Sequence, residues 1–235
     1  AIRQSGESAP HDTSVVGDPA EASEDLKRLR ASVDQAMRMG DGVMAICAHG
    51  AQEMRRESER IVFRLNGILP NSIAIHAIVP VTDEAHARFT AKSRTYEYHI
   101  VNHKDPFLHN LATRVRPGLD FNAMNEAAKY LIGRQDFASF CRSNTDVKTT
   151  ICDLTYAQWE VKENGHAVFT ITADRFLRNM VRAVVGTLFE VGRGKMTKDQ
   201  FADVILQHNR SAAGDSAPAE GLYLTKVEYS QDLFL

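Results

Sequence analysis

The sequence predicts an α+β fold built on an antiparallel sheet, and three observations carry that expectation. Two strand-like runs, residues 154–162 and 166–173, are joined by Glu163-Asn164-Gly165, and an Asn-Gly pair suits the turn of a hairpin. Residues 175–191 place apolar side chains at helical spacing over about four turns. Strands and helices are interleaved along the chain, with no internal repeat of solenoid period.

Taken in order, residues 1–25 are rich in Ser, Ala, Pro, Asp and Glu, the composition of a linker or tail rather than a core. A helix is expected over 26–37, where Leu26, Leu29, Val33 and Met37 recur at helical spacing. Gly40-Asp41-Gly42 marks a tight turn, and residues 43–48 read as a short buried strand. A second helix over 52–65 is expected to close at Asn66-Gly67 and Pro70. Residues 93–101 are β-branched and aromatic enough for a strand. An amphipathic helix follows over 121–132, stopping at Gly133. After the hairpin and the long helix, residues 197–207 form another helix with Thr197 as its N-cap, and 222–229 read as the last strand.

Composition excludes several classes. The chain of 235 residues, 43% hydrophobic, suffices for one large domain or two small ones. No apolar run approaches the ~20 residues of a membrane span, and no basic segment followed by an apolar core marks a secretory leader. Cys47, Cys141 and Cys152 form no CxxC pair and cannot all pair with one another, which fits structural thiols in a reducing cytoplasm. No HExxH zinc pair and no dinucleotide fingerprint is present, and Gly192-Arg193-Gly194-Lys195 lacks the remaining parts of a nucleotide-binding loop. A net charge of −2 argues against a generic nucleic-acid binder, yet residues 175–198 carry six Lys/Arg against Glu190 alone.

Three features offer chemistry. In a helix over 175–191, Arg175, Arg178 and Arg182 share an arc of roughly 60°, with Gly186 on the same side to admit another group. That arc reads either as a solvated face or as a clamp for phosphate or carboxylate. In Ser93-Arg94-Thr95-Tyr96-Glu97-Tyr98, alternation sets Arg94, Tyr96 and Tyr98 apart from Thr95 and Glu97. A tyrosine beside an arginine suits base stacking with phosphate neutralisation, and equally an ordinary cross-strand aromatic pair. Asp41, between two glycines, is either an exposed nucleophile or a turn aspartate capping its own backbone.

Six segments in order resemble the tRNA pseudouridine synthase A family. They are Asn66-Gly67-Ile68-Leu69-Pro70, Ala85-His86-Ala87-Arg88-Phe89, Ser93-Arg94-Thr95-Tyr96-Glu97-Tyr98, Asp136-Phe137-Ala138-Ser139-Phe140, the run DRFLRNMVRAVVG at 174–186, and Gly221-Leu222-Tyr223-Leu224. The resemblance implies two α+β halves around a central antiparallel sheet with a cleft between them, in a homodimer that uses both subunits on one tRNA. It implies isomerisation of uridine to pseudouridine in the anticodon stem-loop, at positions 38–40, with no cofactor or metal. Tyr96 corresponds to the tyrosine that packs on the target base, and Arg182 to the basic partner of the catalytic aspartate. Arg94, Arg175 and Arg178 become candidate phosphate contacts.

The N-terminal third departs from the family pattern. The family opens with a strand and a Tyr-Asp-Gly…Gly-Trp-Gln type of segment, whereas the only tryptophan here is Trp159. The nearest match to the family's Gly-Arg-Thr-Asp-Ala-Gly-Val-His-Ala is Arg38-Met39-Gly40-Asp41-Gly42-Val43-Met44-Ala45, which makes Asp41 the candidate catalytic aspartate. Residues 1–65 are accordingly expected to be shortened or misread. Residues 1–92 form an atypical N-terminal half carrying the catalytic loop, and 93–235 the C-terminal half. The altered loop leaves open a catalytically inert tRNA-binding homologue, and scattered His and Asp a more distant metal-dependent RNA hydrolase.

Overall fold

The computed structural model describes residues 54–142 and 148–235. The expected tail, the helix over 26–37, the Asp41 turn and the strand over 43–48 lie outside the described residues.

Helix α1 (Met54–Ile68) runs through Asn66-Gly67 instead of closing there. The Asn66 carboxamide is engaged elsewhere: Nδ2 donates to the Ile75 carbonyl and Oδ1 accepts from the Ile75 amide, both at 2.8 Å. The helix stops ahead of Pro70, whose ring cannot continue it.

Strands β1 (Ala91–Val101), β2 (Thr113–Arg114), β3 (Gly133–Asp136), β4 (Ile151–Val161), β5 (His166–Ala173) and β6 (Leu222–Tyr229) form one six-stranded sheet. Its order is β2-β1-β5-β4-β3, with β6 also on β1. Every pairing is antiparallel except the short β1–β2 contact. The β4–β5 hairpin turns as the sequence predicts: Asn164 and Gly165 have φ of 59° and 70°, and the Lys162 amide donates to the His166 carbonyl at 2.8 Å. Two register shifts fall near one another, between Thr95 and Tyr96 in the β1–β6 ladder and between Leu154 and Tyr156 in the β4–β5 ladder. Such bulges re-aim side chains next to sites.

Helix α2 (Phe121–Ala128) is capped by Asp120, which accepts from the Ala123 amide at 2.9 Å. The last expected turn tightens into a 3₁₀ segment, Lys129–Leu131, before Gly133 enters β3 with φ of 103°. Helix α3 (Met180–Gly192) begins five residues later than its apolar periodicity predicts. The sheet ladder explains the delay. The Asp174 amide donates to the Asp153 carbonyl at 3.1 Å and its carboxylate accepts from the Asp153 amide at 2.8 Å, so chain pairing continues past β5. The reversal into α3 is made by Asn179 in the left-handed region (φ 68°, ψ 4°), which Asn tolerates better than most residues. Helix α4 (Lys198–Leu206) carries the predicted Thr197 cap, completed by Gln200 as a capping box.

Every residue of α3 except Arg182 and Glu190 is buried, so α3 is a core helix rather than a two-faced surface one. It packs with Tyr98, Ile100, Phe169 and Ile171 of the sheet, and with Met124 and Phe201 from α2 and α4, in one apolar cluster. Burying these side chains is the main stabilising term, at roughly 1.5–3 kcal/mol for each large apolar group. Cys141 and Cys152 are buried free thiols. Among the described residues no helix is long and apolar enough to cross a membrane.

Candidate active site

Among the described residues, the sequence-predicted Arg94, Tyr96, Arg175, Arg178 and Arg182 lie in or against the turn that enters α3. Tyr96 lies half-buried on β1, edge-on to Phe176 with ring centroids 5.0 Å apart and planes at 83°. This is a favoured aromatic arrangement that fixes one edge of the ring. Arg94, two residues earlier on the same face, directs its guanidinium at backbone carbonyls: Nη1 donates to Asp174 at 2.6 Å and Ala91 at 3.1 Å, and Nη2 to Arg88. Arg94 therefore ties β1 to the segment after β5, an anchoring role that alternation alone does not reveal.

Arg175 and Arg178 precede α3, so the expected single arc of three arginines does not form. Arg178 is exposed, and its carbonyl accepts from the Arg142 amide at 3.0 Å. Arg175 is half-buried near Cys152. Burial pushes the Cys152 thiol up to about 12, a rise that the Arg175 charge partly opposes. A thiol so placed is a packing group, not a nucleophile.

Arg182 is the only arginine of the expected arc that sits in the helix. Its Nε donates to the Ala217 carbonyl at 2.6 Å, while the Ala217 amide donates to the Arg182 carbonyl at 2.9 Å. Among the described residues this is the one hydrogen bond its side chain makes, and a guanidinium has further N–H groups on its two Nη atoms. Beside it the Tyr98 hydroxyl donates to the Pro218 carbonyl at 2.8 Å and lies 2.7 Å from Thr113 Oγ1. Burial raises the Tyr98 phenol to about 12, while the Thr113 hydrogen bond and the Arg182 charge work the other way. Tyr98 is thus a neutral core group and no proton donor near neutral pH.

Gly186 admits a close neighbour, as the sequence predicts: the Asp215 carbonyl occupies the place a side chain would take. Segment 210–218 carries no periodicity or motif that marks it in the sequence. Arg210, Ser216 and Asn179 are joined within it, Ser216 Oγ accepting from Asn179 Nδ2 at 2.6 Å and from Arg210 Nη2 at 3.1 Å. Asp41 lies outside the described residues.

Chemically, the described part offers a ring platform on Tyr96 and a half-buried cation on Arg182. Among the described residues there is no cluster of three or more His, Cys, Asp or Glu suited to a metal ion.

Comparison with known proteins identifies the family. A family model described as tRNA pseudouridine synthase matches residues 127–230. The tRNA pseudouridine synthase A of Porphyromonas gingivalis is 46% identical over 239 aligned positions, covering 99% of this chain and 95% of that protein. The likeness thus extends beyond the six segments into the residues before Asn66. The tRNA pseudouridine synthase A of Parabacteroides distasonis is 53% identical over 73% of this chain and 68% of its own length. That of Bacillus licheniformis is 40% identical over 71% of this chain and 68% of its own length. With the sheet, the α3 entry turn and these likenesses together, the chain belongs to the tRNA pseudouridine synthase A family.

Proposed function

We propose that this protein isomerises uridine to pseudouridine in tRNA, at positions 38–40 of the anticodon stem-loop, with Asp41 as the catalytic carboxylate. The observation that carries this reading is the 46% identity with a tRNA pseudouridine synthase A over 95% of that protein's length. In the reaction the N1–C1′ glycosidic bond breaks, the base turns, a C5–C1′ bond forms, and the C5 proton is lost as N1 gains one. Nothing is oxidised and no group leaves for good, so a carboxylate and a base-holding pocket suffice without metal or cofactor.

Tyr96 supplies the platform for a uracil turned out of the stem, because its ring is already fixed on one side by Phe176. Arg182 supplies the positive charge that keeps Asp41 ionised in a water-poor pocket, since an opposite charge within ~4–6 Å lowers an acid's pKa. Arg178, exposed on the approach to α3, and Arg175 are the better phosphate contacts. Arg94 serves chiefly as the anchor of the Tyr96 strand. The working unit is a homodimer of chains with an N-terminal half over 1–92 and a C-terminal half over 93–235, acting in the cytoplasm.

The test is to incubate the protein with unmodified tRNA transcript in excess chelator, then map pseudouridine by carbodiimide labelling and primer extension. New stops confined to the anticodon arm support the proposal. Binding without stops identifies an inert tRNA-binding homologue, and activity that chelator abolishes points to metal-dependent chemistry.

A further inference from the structure

Segment 210–218 lies along α3 as a strap. The Gly214 amide donates to Thr187 Oγ1 at 3.0 Å. The Asp215 carbonyl fills the notch at Gly186, Ala217 exchanges hydrogen bonds with Arg182, and Ser216 takes the Asn179 amide. The helix residues involved, 179, 182, 186 and 187, fall at the spacing of one helical face. Beyond the helix the strap reaches the sheet, where Pro218 receives the Tyr98 hydroxyl.

Arg210 closes the strap on itself. Its Nη1 donates to the Ala213 carbonyl at 3.3 Å and the Gly214 carbonyl at 3.1 Å, and its Nη2 to Ser216 Oγ. Ser216 is therefore the joint between two donors: Arg210, which rigidifies the strap, and Asn179, which sets the turn into α3. A serine hydroxyl has the two lone pairs this arrangement needs. The next residue, Ala217, is the one whose carbonyl holds Arg182 Nε.

We propose that Asn179, Ser216 and Arg210 form a positioning relay whose function is to fix the Arg182 guanidinium for the isomerisation; this rests on the reading of Arg182 as the catalytic carboxylate's partner. Holding Nε on the Ala217 carbonyl restricts rotation of the guanidinium and leaves its two Nη groups for the carboxylate. The Asn179–Ser216 and Arg182–Ala217 bonds are adjacent rungs between helix and strap, so removing the first loosens the second. A displacement of about 1 Å at a reacting group costs on the order of 100-fold in rate.

The experiment measures single-turnover tritium release from a tRNA transcript labelled at C5 of uridine, alongside tRNA affinity by filter binding. Ser216→Ala and Asn179→Gly remove the relay, the second without disturbing the left-handed backbone that glycine also adopts. Each is expected to slow release about 10- to 100-fold while tRNA affinity stays within about twofold, and Ser216→Thr, which keeps the hydroxyl, restores the rate. In an Arg182→Ala background, Ser216→Ala is expected to add less than about twofold, because residues that act through one another are not additive. Wild-type release by both relay variants, a loss in affinity instead of rate, or full additivity with Arg182→Ala overturns the relay. Should Ser216→Ala fail to fold by circular dichroism, Asn179→Gly carries the same comparison. Wild-type release by Arg182→Ala overturns the role of Arg182 itself, a different failure from that of the relay.

Discussion

Arg182 and Ala217 grip each other twice, side chain to backbone at 2.6 Å and backbone to backbone at 2.9 Å, across 35 residues of sequence. The pairing joins the first turn of α3 to the irregular stretch that follows the 3₁₀ turn Arg210–Ala212. It converts a long flexible side chain into a placed cation, which is what a charge partner for a catalytic carboxylate requires.

Arg182→Lys keeps the charge and loses the Nε donor together with the planar fork. Single-turnover pseudouridine formation is expected to fall about 100-fold, near 3 kcal/mol of transition-state stabilisation. Filter binding of tRNA should change little. A near-normal rate would mean that charge alone suffices.

Asp41→Asn is expected to abolish product while leaving tRNA affinity largely intact, because the amide is close in size and carries no nucleophilic charge. Primer extension after carbodiimide labelling reads the product, and normal turnover would remove Asp41 from the mechanism.

Gly186→Ala sets a methyl group on the Asp215 carbonyl, a backbone atom that cannot swing aside. Overpacking of this kind costs about 1–3 kcal/mol. A melting temperature lower by about 2–10 °C is expected by scanning calorimetry, and an unchanged value would show that the strap yields freely.

Tyr98→Phe tests the alkaline limb of stability. The folded-state pKa of Tyr98 is raised from 10.0 to about 12, chiefly by burial. The neutral phenol is therefore favoured by folding, its contribution is complete below pH 10, and it is lost as pH rises towards 12. Urea unfolding of the parent protein should show stability falling by about 2–3 kcal/mol across that window from this group, and the phenylalanine variant should show a shallower fall. Cys152, raised from 9.0 to about 12, adds to the fall in both proteins from pH 9 upward.

Much of the fold was legible because its signals are local. The β6 bounds, the Asn164-Gly165 hairpin turn and the Thr197 cap each depend on residues within four positions of one another. Alternation correctly set Arg94 and Tyr96 on the face of Tyr98, which is buried in the core. Periodicity sets the start of α3 too early for a physical reason: residues 175–179 keep the helical spacing of apolar groups, but Asp174 is already committed to pairing with Asp153. Asn179 then absorbs the change of direction.

The sequence by itself determined the class of fold and the family, because periodicity, turn chemistry and motif order are properties of near neighbours along the chain. Only the tertiary structure decided what those side chains touch. It laid segment 210–218 against the Gly186 side of α3, turned Arg94 into a backbone anchor, left Arg175 and Arg178 off the helix, and gave Arg182 its carbonyl partner. Those outcomes depend on hydrogen bonds between residues 21 to 80 apart, and no local pattern encodes which distant carbonyl a guanidinium will meet.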